Sequence, residues 1–570
     1  MRRHVAIEPR RTVTGEHGLT TLKQPWPEKA IGGAGRRPAA RAKATLTRSA
    51  TSAPTRSCDP FVNARGAIAE VTLDITKNIT GGDAMSDPMN VLVPEHRRLR
   101  IGDAWRDAAS GATFVVEDPA TGKTIAEVAD ADVVDGLAAL DVASKAMAEW
   151  AATPPRKRSE LLTATYRALT ERSEEVARLI TLEMGKPLAE ARGEVAYGAE
   201  FFRWFAEEAV RVEGRYNTAP AGGYRILTVP RPVGPCVFVT PWNFPLAMGA
   251  RKIAPALAAG CTTITKPAAQ TPLTMLFLAR IMEEVGVPPG VVNVVTTKRA
   301  GEVVSALLAD RRTRKLSFTG STEVGRVLLR QAADNVLRTS MELGGNAALI
   351  VCADADLDVA LDGAMVAKMR NIGESCIAAN RIYVEEPVRE EFTARFAKRM
   401  GALSVGHGLD DGVDVGALID EASVTKIDEL VADAVNRGAR VLVGGERPDG
   451  PGHFYPPTVL VDVPEDARML EAEIFGPVAP IISFTSDDEV MAKANDTEHG
   501  LAGYVFTRDL QRALRFAEGL ETGMLGINRG LISDPSAPFG GVKQSGIGKE
   551  GSHEGILEYL DVTYAAIDLP

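Results

Sequence analysis

The stretch CVFVTPWNFPLAMGARKIAPALAAGCTTITKP, residues 236–267, holds two short β-branched runs separated by a longer segment with a helical pattern. The order strand, helix, strand is the signature of parallel βαβ construction. The same alternation continues along the chain from about Val91, so the sequence predicts an α/β fold. Further predicted strands are VVNVV, KLSFTG, AALIVC, RIYVEE, RVLVGG and YVFT, and predicted helices are TPLTMLFLARIMEEVG, STEVGRVLLRQAAD and EEFTARFAKRMGAL.

Three segments depart from this alternation. RSELLTATYRALTERSEEVARLITLEMGK has the pattern of a long amphipathic helix or a helix pair, which Gly185 and Pro187 would end. GYRILTV and the terminal LDVTYAAIDL resemble strands that no helix follows. We expect these two strands to form a small antiparallel sheet or a subunit contact.

Composition limits the class of protein. The chain has 570 residues, of which 45% are hydrophobic and 25% charged, enough for a large core divided over two or three domains. A net charge of −10 argues against a nucleic-acid or anionic-membrane partner, since both require a basic face. No apolar run reaches the roughly 18 residues of a membrane span. Five cysteines without a C-x-x-C pair predict neither a disulfide framework nor a metal site, and favour the cytoplasm.

The first 85 residues differ from the rest. They are rich in Arg, Gly, Pro, Ser and Thr and lack a sustained hydrophobic period. We expect either a disordered tail, in which an organelle transit peptide is the sharper interpretation, or mis-assigned upstream sequence before a start at Met85 or Met89.

The cysteines differ in their surroundings. Cys236, Cys261 and Cys352 lie in apolar, strand-like runs, where a thiol acts as a small hydrophobic group, and Cys58 lies in the doubtful tail. Cys376 instead follows Gly373 and Ser375, at what we predict to be a loop-to-helix junction that would lower its thiol pKa. Local sequence leaves open whether Cys376 is a nucleophile or an ordinary loop cysteine.

A nucleophile requires a base, and none of the seven histidines is an obvious one. Glu342 in SMELGGNAALIV is a single acid among apolar neighbours, and burial would raise its pKa toward the range of a general base. A solvent-facing glutamate at a strand end is the alternative.

Three further stretches carry polar groups. FVTPWNFPLAM holds the amide of Asn243 in an apolar wall, TITKPAAQTP puts Lys266 at a strand end, and SFTGSTEVG leads through Gly320 and Ser321 into a helix. In this order, and with Glu342, Cys376 and EAEIFGPVAP, these stretches resemble the aldehyde dehydrogenase superfamily from about Val91 to Leu569. Within the superfamily, RWFAEEAVRV, GGNAALIV and GLISDPSAPFGGVKQSGIGKEGSHEGILEYL are most similar to succinate-semialdehyde dehydrogenases.

The resemblance implies a Rossmann-type cofactor domain, an α/β catalytic domain and a small β oligomerisation element. The implied NAD(P)-binding domain comprises residues 86–213 and 233–344, and the catalytic domain residues 345–544. Residues 214–232 and 545–570 would supply the oligomerisation strands of a homodimer or homotetramer.

The implied chemistry is oxidation of an aldehyde by NADP⁺ or NAD⁺. Cys376 adds to the carbonyl carbon, Asn243 and the Cys376 N–H hold the oxyanion, and Glu342 activates the water that hydrolyses a thioester. No metal is required. By the same resemblance the cofactor would contact Trp242, Lys266, Ala269, Gly320, Ser321, Glu473 and Phe475.

Three positions depart from the family. Glu374 replaces the usual Gln and would add a negative charge near the nucleophile. Ala378 stands where some succinate-semialdehyde dehydrogenases have a second cysteine, so their disulfide switch is not expected. Ala269 stands where NAD-preferring members often have Glu, and this slightly favours NADP⁺.

Arg251 and Arg370 each lie in an apolar, helix-like segment. A guanidinium in such a place must find an anion, so each could pair with a structural acid or reach solvent. By resemblance both align with the arginines that bind the distal carboxylate of succinate semialdehyde, and Ser533 aligns with the serine that donates to it. Glutarate semialdehyde, another ω-carboxylated aldehyde or a general aldehyde is the alternative substrate.

Other classes of function stay open at this point. A cofactor-independent thiol hydrolase would use Cys376 and Glu342 alone, and a catalytically inactive binding protein would use neither. The match of GIGKEG, residues 546–551, to G-x-G-x-x-G is rejected as a dinucleotide fingerprint, because only 19 residues follow it.

Overall fold

The computed structural model describes residues 94–568. The expected tail of residues 1–85, with Cys58 and the alternative start methionines, lies outside the described residues. The strands of the described part, in chain order, are β1 Leu99–Ile101, β2 Ala104–Arg106, β3 Thr113–Asp118, β4 Lys123–Ala129, β5 Arg215–Thr218, β6 Tyr224–Pro232, β7 Cys236–Val239, β8 Thr263–Lys266, β9 Val292–Val294, β10 Lys315–Thr319, β11 Arg338–Glu342, β12 Ala347–Val351, β13 Ala379–Glu385, β14 Arg440–Val443, β15 Thr458–Val461, β16 Val478–Phe484, β17 His499–Gly500, β18 Ala502–Phe506, β19 Met524–Ile527, β20 Val542–Lys543, β21 Gly546–Ile547 and β22 Leu560–Asp568.

The helices follow the hydrophobic periods of the sequence. They are α1 Val133–Ala152, α2 Pro155–Glu171, α3 Ser173–Met184, α4 Leu188–Glu208, α5 Ala247–Ala259, α6 Leu273–Glu284, α7 Ala300–Ala309, α8 Thr322–Ala333, α9 Leu357–Met369, α10 Glu386–Gly401, α11 Glu421–Asn436, α12 Arg468–Glu471, α13 Asp487–Asn495, α14 Leu510–Gly519 and α15 Ser552–Leu557.

The first sheet has the strand order β2-β1-β9-β8-β7-β10-β11-β21. Its five central strands run parallel, whereas β1, β2 and β21 are antiparallel additions at the two edges. Every residue of β7, β8 and β10 is buried, as expected for parallel strands that helices cover on both faces. The order reverses between β7 and β10, as in a Rossmann-type sheet.

The second sheet has the order β14-β15-β16-β13-β12-β18-β19, with all neighbours parallel except β14 and β15. Only residues 343–346 separate the end of β11 in the first sheet from the start of β12 in the second. Because β11 ends and β12 begins at this link, the carboxyl edge of the first sheet faces the amino edge of the second.

A third sheet is small and antiparallel, with β6 between β5 and β22. All nine residues of β22 pair with β6, and the other edge of β22 has no partner strand among the described residues. The prediction that GYRILTV and LDVTYAAIDL form a separate antiparallel sheet is therefore confirmed.

Helix boundaries follow local sequence signals. Asp132 forms a capping box with Asp135 at the start of α1. The predicted helix pair is confirmed as α2 and α3, and α3 ends at Gly185, which adopts the left-handed φ of +95° that favours glycine.

The α/β prediction is confirmed, and every strand and helix predicted from the sequence is present. Several strands were not predicted from the sequence. The run VAPIISF of β16 contains Pro480, which argues against a strand interior, and β11 has the polar sequence RTSME. The division of the chain into cofactor, catalytic and oligomerisation segments stays a prediction. Among the described residues, no helix is long and apolar enough to cross a membrane.

Candidate active site

A cavity of about 240 Å³ lies where the two large sheets meet. Ligands of open α/β sheets bind at the carboxyl ends of the strands between which the order reverses, and here those strands are β7 and β10. Segments that follow both strands line this cavity, so the topology alone marks it as the candidate site. The lining residues are Pro241, Trp242, Asn243, Met248, Thr319, Gly320, Ser321, Leu343, Gly344, Cys376, Ser423, Lys426, Glu473, Ile474 and Phe475.

Cys376 lines the cavity from a loop that leads into β13. The predicted loop-to-helix junction is wrong, because a strand and not a helix follows the thiol. Burial raises the pKa of the Cys376 thiol to about 12; Arg251 opposes this rise, whereas Glu473 and Glu342 add to it. The expected lowering of the thiol pKa by a helix end is therefore also wrong.

The loop before Cys376 has an unusual backbone. Asn371 and Ile372 have φ of +60° and +63°, and the left-handed region is costly for a β-branched residue such as Ile372. Gly373 continues the path at φ +80°, where a Cβ would lie 2.3 Å from the carbonyl oxygen of Gly476. Surrounding contacts thus hold the segment before Cys376 in one strained conformation.

Gly345 lies close to the backbone of Cys376. A Cβ on Gly345 would lie 2.1 Å from the backbone oxygen of Cys376, which no side chain could accommodate without a shift of the loop. The second glycine of the GGN motif is thereby explained by the close approach of two backbones.

Asn243 joins the segment after β7 to the loop that carries Cys376. Its side-chain Nδ2 donates a hydrogen bond to the backbone oxygen of Glu374, at 3.0 Å and two residues before Cys376. An asparagine amide carries two N–H donors, so one remains for a ligand in the cavity that Asn243 lines.

The side chain of Glu374 binds a segment that is distant in sequence from Cys376. Its Oε1 accepts the N–H of Ile419 at 3.2 Å, and burial raises the carboxyl pKa well above its ordinary value. The expected effect of Glu374 on Cys376 requires the two side chains to come close, and it stays a prediction.

Glu342 is the last residue of β11 and is only 2% exposed. Neither carboxylate oxygen has a hydrogen-bond partner among the described residues. Burial, and then the negative charge of Glu550, raises its pKa well above the ordinary value. The solvent-facing alternative is excluded, and the carboxyl next to the cavity has the raised pKa that suits a general base.

Sequence reasoning missed Glu550, which lies in the rejected GIGKEG motif. Glu550 is buried and forms ion pairs with Arg251 and Lys252, which are also buried. β21, just before it, pairs with β11 at Met341 and Glu342. Only the fold reveals this cluster, because Glu550 is far from its partners in sequence.

One wall of the cavity has features suited to a nucleotide. Gly320 ends the β10 turn, and the Oγ of Ser321 accepts the N–H of Val324 as the N-cap of α8. Trp242 and Phe475 meet edge to face at 5.4 Å.

Glu473 lines the same wall, and its carboxylate accepts the N–H of Gly345 at 3.2 Å. Burial raises the pKa of Glu473 to about 7. Ser423 and Lys426, both on α11, also line the cavity. Sequence reasoning missed both residues, because their helix resembles any amphipathic surface helix.

Lys266 ends β8, as predicted, but it does not line this cavity. Burial lowers the pKa of its ammonium to about 8. Ala269 lies in a neighbouring cavity of about 290 Å³, which Glu183 and Lys298 also line.

Arg370 begins a short 3₁₀ turn after α9. Its Nη1 donates to the Oγ of Ser533 at 3.4 Å, and its guanidinium lies 5.6 Å from the ring of Tyr197 and 5.0 Å from that of Phe244. In the described part of the chain, no carboxylate forms an ion pair with Arg370. Arg370 and Ser533 thus meet, although neither of them lines the cavity.

Arg251 has a different environment. It is 1% exposed, pairs with Glu550 and lies 4.4 Å from the ring of Phe539. The alternative of a structural acid partner therefore describes Arg251, whereas no ion pair within the described chain involves Arg370. No group of three potential metal-ligating side chains occurs between residues 94 and 568.

Comparison with known proteins gives a consistent picture. The family model described as aldehyde dehydrogenase family matches residues 105–565. A succinate-semialdehyde dehydrogenase of Paenarthrobacter nicotinovorans is 56% identical over 446 residues, which cover 78% of this chain and 99% of that protein. A succinate-semialdehyde dehydrogenase [NADP(+)] of Escherichia coli (strain K12) is 46% identical and covers 82% of this chain and 97% of its own length.

Relatives that are named for another substrate have about the same sequence identity to this chain as the Escherichia coli protein. A glutarate-semialdehyde dehydrogenase of Pseudomonas putida is 47% identical, covering 82% of this chain and 97% of that protein. The crystal structure of a succinate-semialdehyde dehydrogenase from Burkholderia pseudomallei superposes with a TM-score of 0.83 at 44% identity, and covers 85% of this chain and 100% of that chain.

The raised thiol pKa leads to a prediction about reactivity. Without added nucleotide, alkylation of Cys376 by iodoacetamide should be slow at pH 7 and should rise about tenfold per pH unit up to at least pH 10, because only the thiolate reacts. Mass spectrometry of the labelled peptide gives the rate, and Cys376→Ser identifies the site. A rate that levels off below pH 9 would contradict the burial effect.

Proposed function

We propose that this chain, which belongs to the aldehyde dehydrogenase family, oxidises succinate semialdehyde to succinate with NADP⁺ or NAD⁺. The observation that carries the substrate assignment is Arg370, a guanidinium without a carboxylate partner among the described residues, beside Ser533 and six residues before Cys376. Relatives that are named for this activity support the proposal.

The residues around the cavity fit a dinucleotide. Gly320 lacks a side chain where the backbone turns into α8, Ser321 caps that helix, and the half-buried Glu473 carboxylate can accept hydroxyl hydrogens of a ribose. Trp242, Phe475 and Lys426 complete the lining on that side. When bound, the oxidised nicotinamide supplies a hydride acceptor and a positive charge.

Cys376 supplies the nucleophile. Its thiolate adds to the aldehyde carbon, and the oxyanion that forms accepts hydrogen bonds from Asn243 Nδ2 and from the backbone N–H of Cys376. Arg251 is the cation that favours the thiolate in this environment. Loss of hydride from the tetrahedral adduct leaves a thioester on Cys376.

Glu342 then acts as the general base. Its unpartnered, buried carboxylate takes a proton from a water molecule, which attacks the thioester and releases succinate and the Cys376 thiol. Burial raises the pKa of Glu342 and the charge of Glu550 adds to this rise, whereas Arg251 and Lys252 lower the pKa, so burial and these neighbours together set the pH range in which the carboxyl is ionised.

The cofactor preference rests on a single position. Ala269 leaves the expected ribose pocket without the acid that would repel a 2′-phosphate, and Lys266 contributes an amine near it in sequence. We propose that NADP⁺ is used well and is slightly preferred. The Escherichia coli relative named for NADP(+) supports this choice.

Glutarate semialdehyde is the alternative substrate, because relatives of similar identity carry that name and the same arginine would bind its longer chain. A thiol hydrolase without a cofactor is disfavoured, since the wall of the cavity that suits a nucleotide would then have no role. An inactive binding protein would not need Glu342 buried beside Cys376.

We also propose self-association and a reducing cytoplasmic location. β22 presents an unpaired edge within the described chain, with Val562 and Tyr564 65% and 54% exposed, which suits a homodimer or homotetramer contact. The four described cysteines are free thiols, as expected where glutathione keeps them reduced.

The assignment of nucleophile and base predicts two separate phenotypes. Cys376→Ala should abolish aldehyde oxidation, whereas Glu342→Gln should form the thioester and then hydrolyse it about 10²–10⁴-fold more slowly. Stopped-flow absorbance at 340 nm should show Glu342→Gln releasing about one NADPH per site in a burst. Cys352→Ser, a buried thiol remote from the cavity, is the control; wild-type turnover by Cys376→Ala would refute the assignment.

The substrate assignment predicts a selective effect of Arg370→Ala. A charge-assisted contact contributes about 1.5–3 kcal/mol, so KM for succinate semialdehyde should rise about 10- to 150-fold, while uncharged butanal is nearly unaffected. Arg203→Ala is the matched control, because Arg203 also lies over a tyrosine ring, that of Tyr166 at 5.4 Å, but pairs with Glu200. Equal effects on both aldehydes would make Arg370 structural.

The cofactor proposal predicts that Ala269→Glu shifts preference toward NAD⁺, because the new carboxylate repels a 2′-phosphate and accepts ribose hydroxyls. The ratio of kcat/KM for NADP⁺ to that for NAD⁺ measures the shift. Rapid wild-type turnover with NAD⁺ and none with NADP⁺ would contradict the inference from position 269.

A further inference from the structure

Behind Asn243 lies an ion pair that the proposed mechanism does not use. Lys186 lies between α3 and α4, and Glu194 lies on α4; their charged atoms are 2.6 Å apart and both side chains are 0% exposed. Neither residue lines the cavity. The pair is therefore neither a surface salt bridge nor a direct ligand of the substrate.

Within the described chain, the other side-chain hydrogen bonds of this pair all fall on one short segment. Lys186 Nζ donates to the backbone oxygen of Asn243 at 2.8 Å and lies 4.2 Å from the ring of Phe244. Glu194 Oε1 accepts the N–H groups of Leu246 at 2.8 Å and Ala247 at 3.2 Å. The two side chains thus bind residues 243–247, which form the bend between β7 and α5.

A second donor reaches the same peptide. Asn371 Nδ2 donates to the backbone oxygen of Asn243 at 3.0 Å, and also to the backbone oxygen of Glu374 at 2.9 Å. The Asn243 side chain donates to that same Glu374 oxygen at 3.0 Å. With two donors on its carbonyl and one acceptor on its amide, Asn243 has little freedom to rotate.

The position of the pair also argues for a role beyond stability. A wholly buried ion pair loses the hydration of both partners, and apolar side chains of the same volume would often be as stable or more stable. A pair at such a place is better explained by the geometry that it imposes on its neighbours.

We propose that Lys186 is a positioning residue for catalysis: anchored by Glu194, its ammonium fixes the Asn243 peptide so that the side-chain amide faces the oxygen of the bound aldehyde. This inference rests on the proposed function, and it assigns to Lys186 and Glu194 a part in oxyanion stabilisation through Asn243. An oxyanion donor is effective only when its position is set in advance.

A direct effect of the Lys186 charge on the nucleophile is the competing explanation. The charged groups that act most strongly on the Cys376 thiol are Arg251, Glu473 and Glu342, and Lys186 is not among them. The two explanations differ in outcome, because an effect through charge would move the pH profile of Cys376 alkylation, whereas an effect through geometry would leave it in place.

A double-mutant cycle tests the proposal with the full-length protein. Lys186→Met, Asn243→Ala and the double variant are compared by kcat/KM for succinate semialdehyde at saturating NADP⁺. Lys186→Met should lower kcat/KM about 10- to 100-fold alone but less than about 3-fold in the Asn243→Ala background, because the amide that it positions is then absent. Its Kd for NADP⁺ and its alkylation profile should match wild type.

Equal fold losses in both backgrounds would overturn the inference, and so would a shifted alkylation profile. Asn243→Ala by itself should cost about 10²–10³-fold; if it has wild-type activity, the proposed oxyanion role fails, not merely the part of Lys186. The failure of each proposal is therefore distinguishable.

Two further variants keep the test decisive. Glu194→Gln retains an oxygen for the N–H groups of Leu246 and Ala247 but weakens the anchor of Lys186, so it should show a smaller loss of kcat/KM with the same dependence on Asn243.

Lys315→Met is the matched control. Lys315 is also fully buried, pairs with Glu558 at 3.3 Å and lies 5.0 Å from the ring of Tyr559. It begins β10, at the end away from the cavity, and should keep kcat/KM within about 2-fold of wild type.

Discussion

The shortest link between the two large sheets controls the rest of the structure. Residues 343–346 lead from the end of β11 directly into β12, so the carboxyl edge of one sheet must face the amino edge of the other. Glu342 stands at one end of the link, and Gly345 within it lies against the backbone of Cys376. Glu342 and Cys376, which are 34 positions apart, are thus brought near each other by four residues, two of them glycines.

Repetitive features of the chain could be predicted from sequence, because hydrophobic period and capping residues are local. CVFV and TITK are strands for the reason that their composition indicates, and Gly185 ends α3. The loop before Cys376 could not be predicted, since the left-handed conformations of Asn371 and Ile372 are imposed by contacts with distant segments. For the same reason the acid partner of Arg251 and Lys252 could not be predicted, because Glu550 lies far from both of them in sequence.

Burial of ionisable groups is the common electrostatic theme of the site. Glu342, Glu473 and Cys376 all have raised pKa values because the interior disfavours their charged forms, and the pKa of Lys266 is lowered for the same reason. Such groups reduce the stability of the fold, and the cost is acceptable where a proton must be taken or released near neutral pH. Just behind these groups lie two ion pairs in which opposite charges compensate each other, Lys186 with Glu194 and Arg251 with Glu550.

The small sheet has a consequence for how the chain folds. β6 belongs to the first half of the described chain, whereas its partner β22 is the last strand. Between paired residues such as Pro232 and Leu560 lie all the strands of the second sheet. During synthesis β6 therefore leaves the ribosome long before its partner exists, with one edge open to any strand that can pair with it. Closure of this sheet is a late, non-local event, and the interval before it is when nascent chains are most exposed to mispairing with one another.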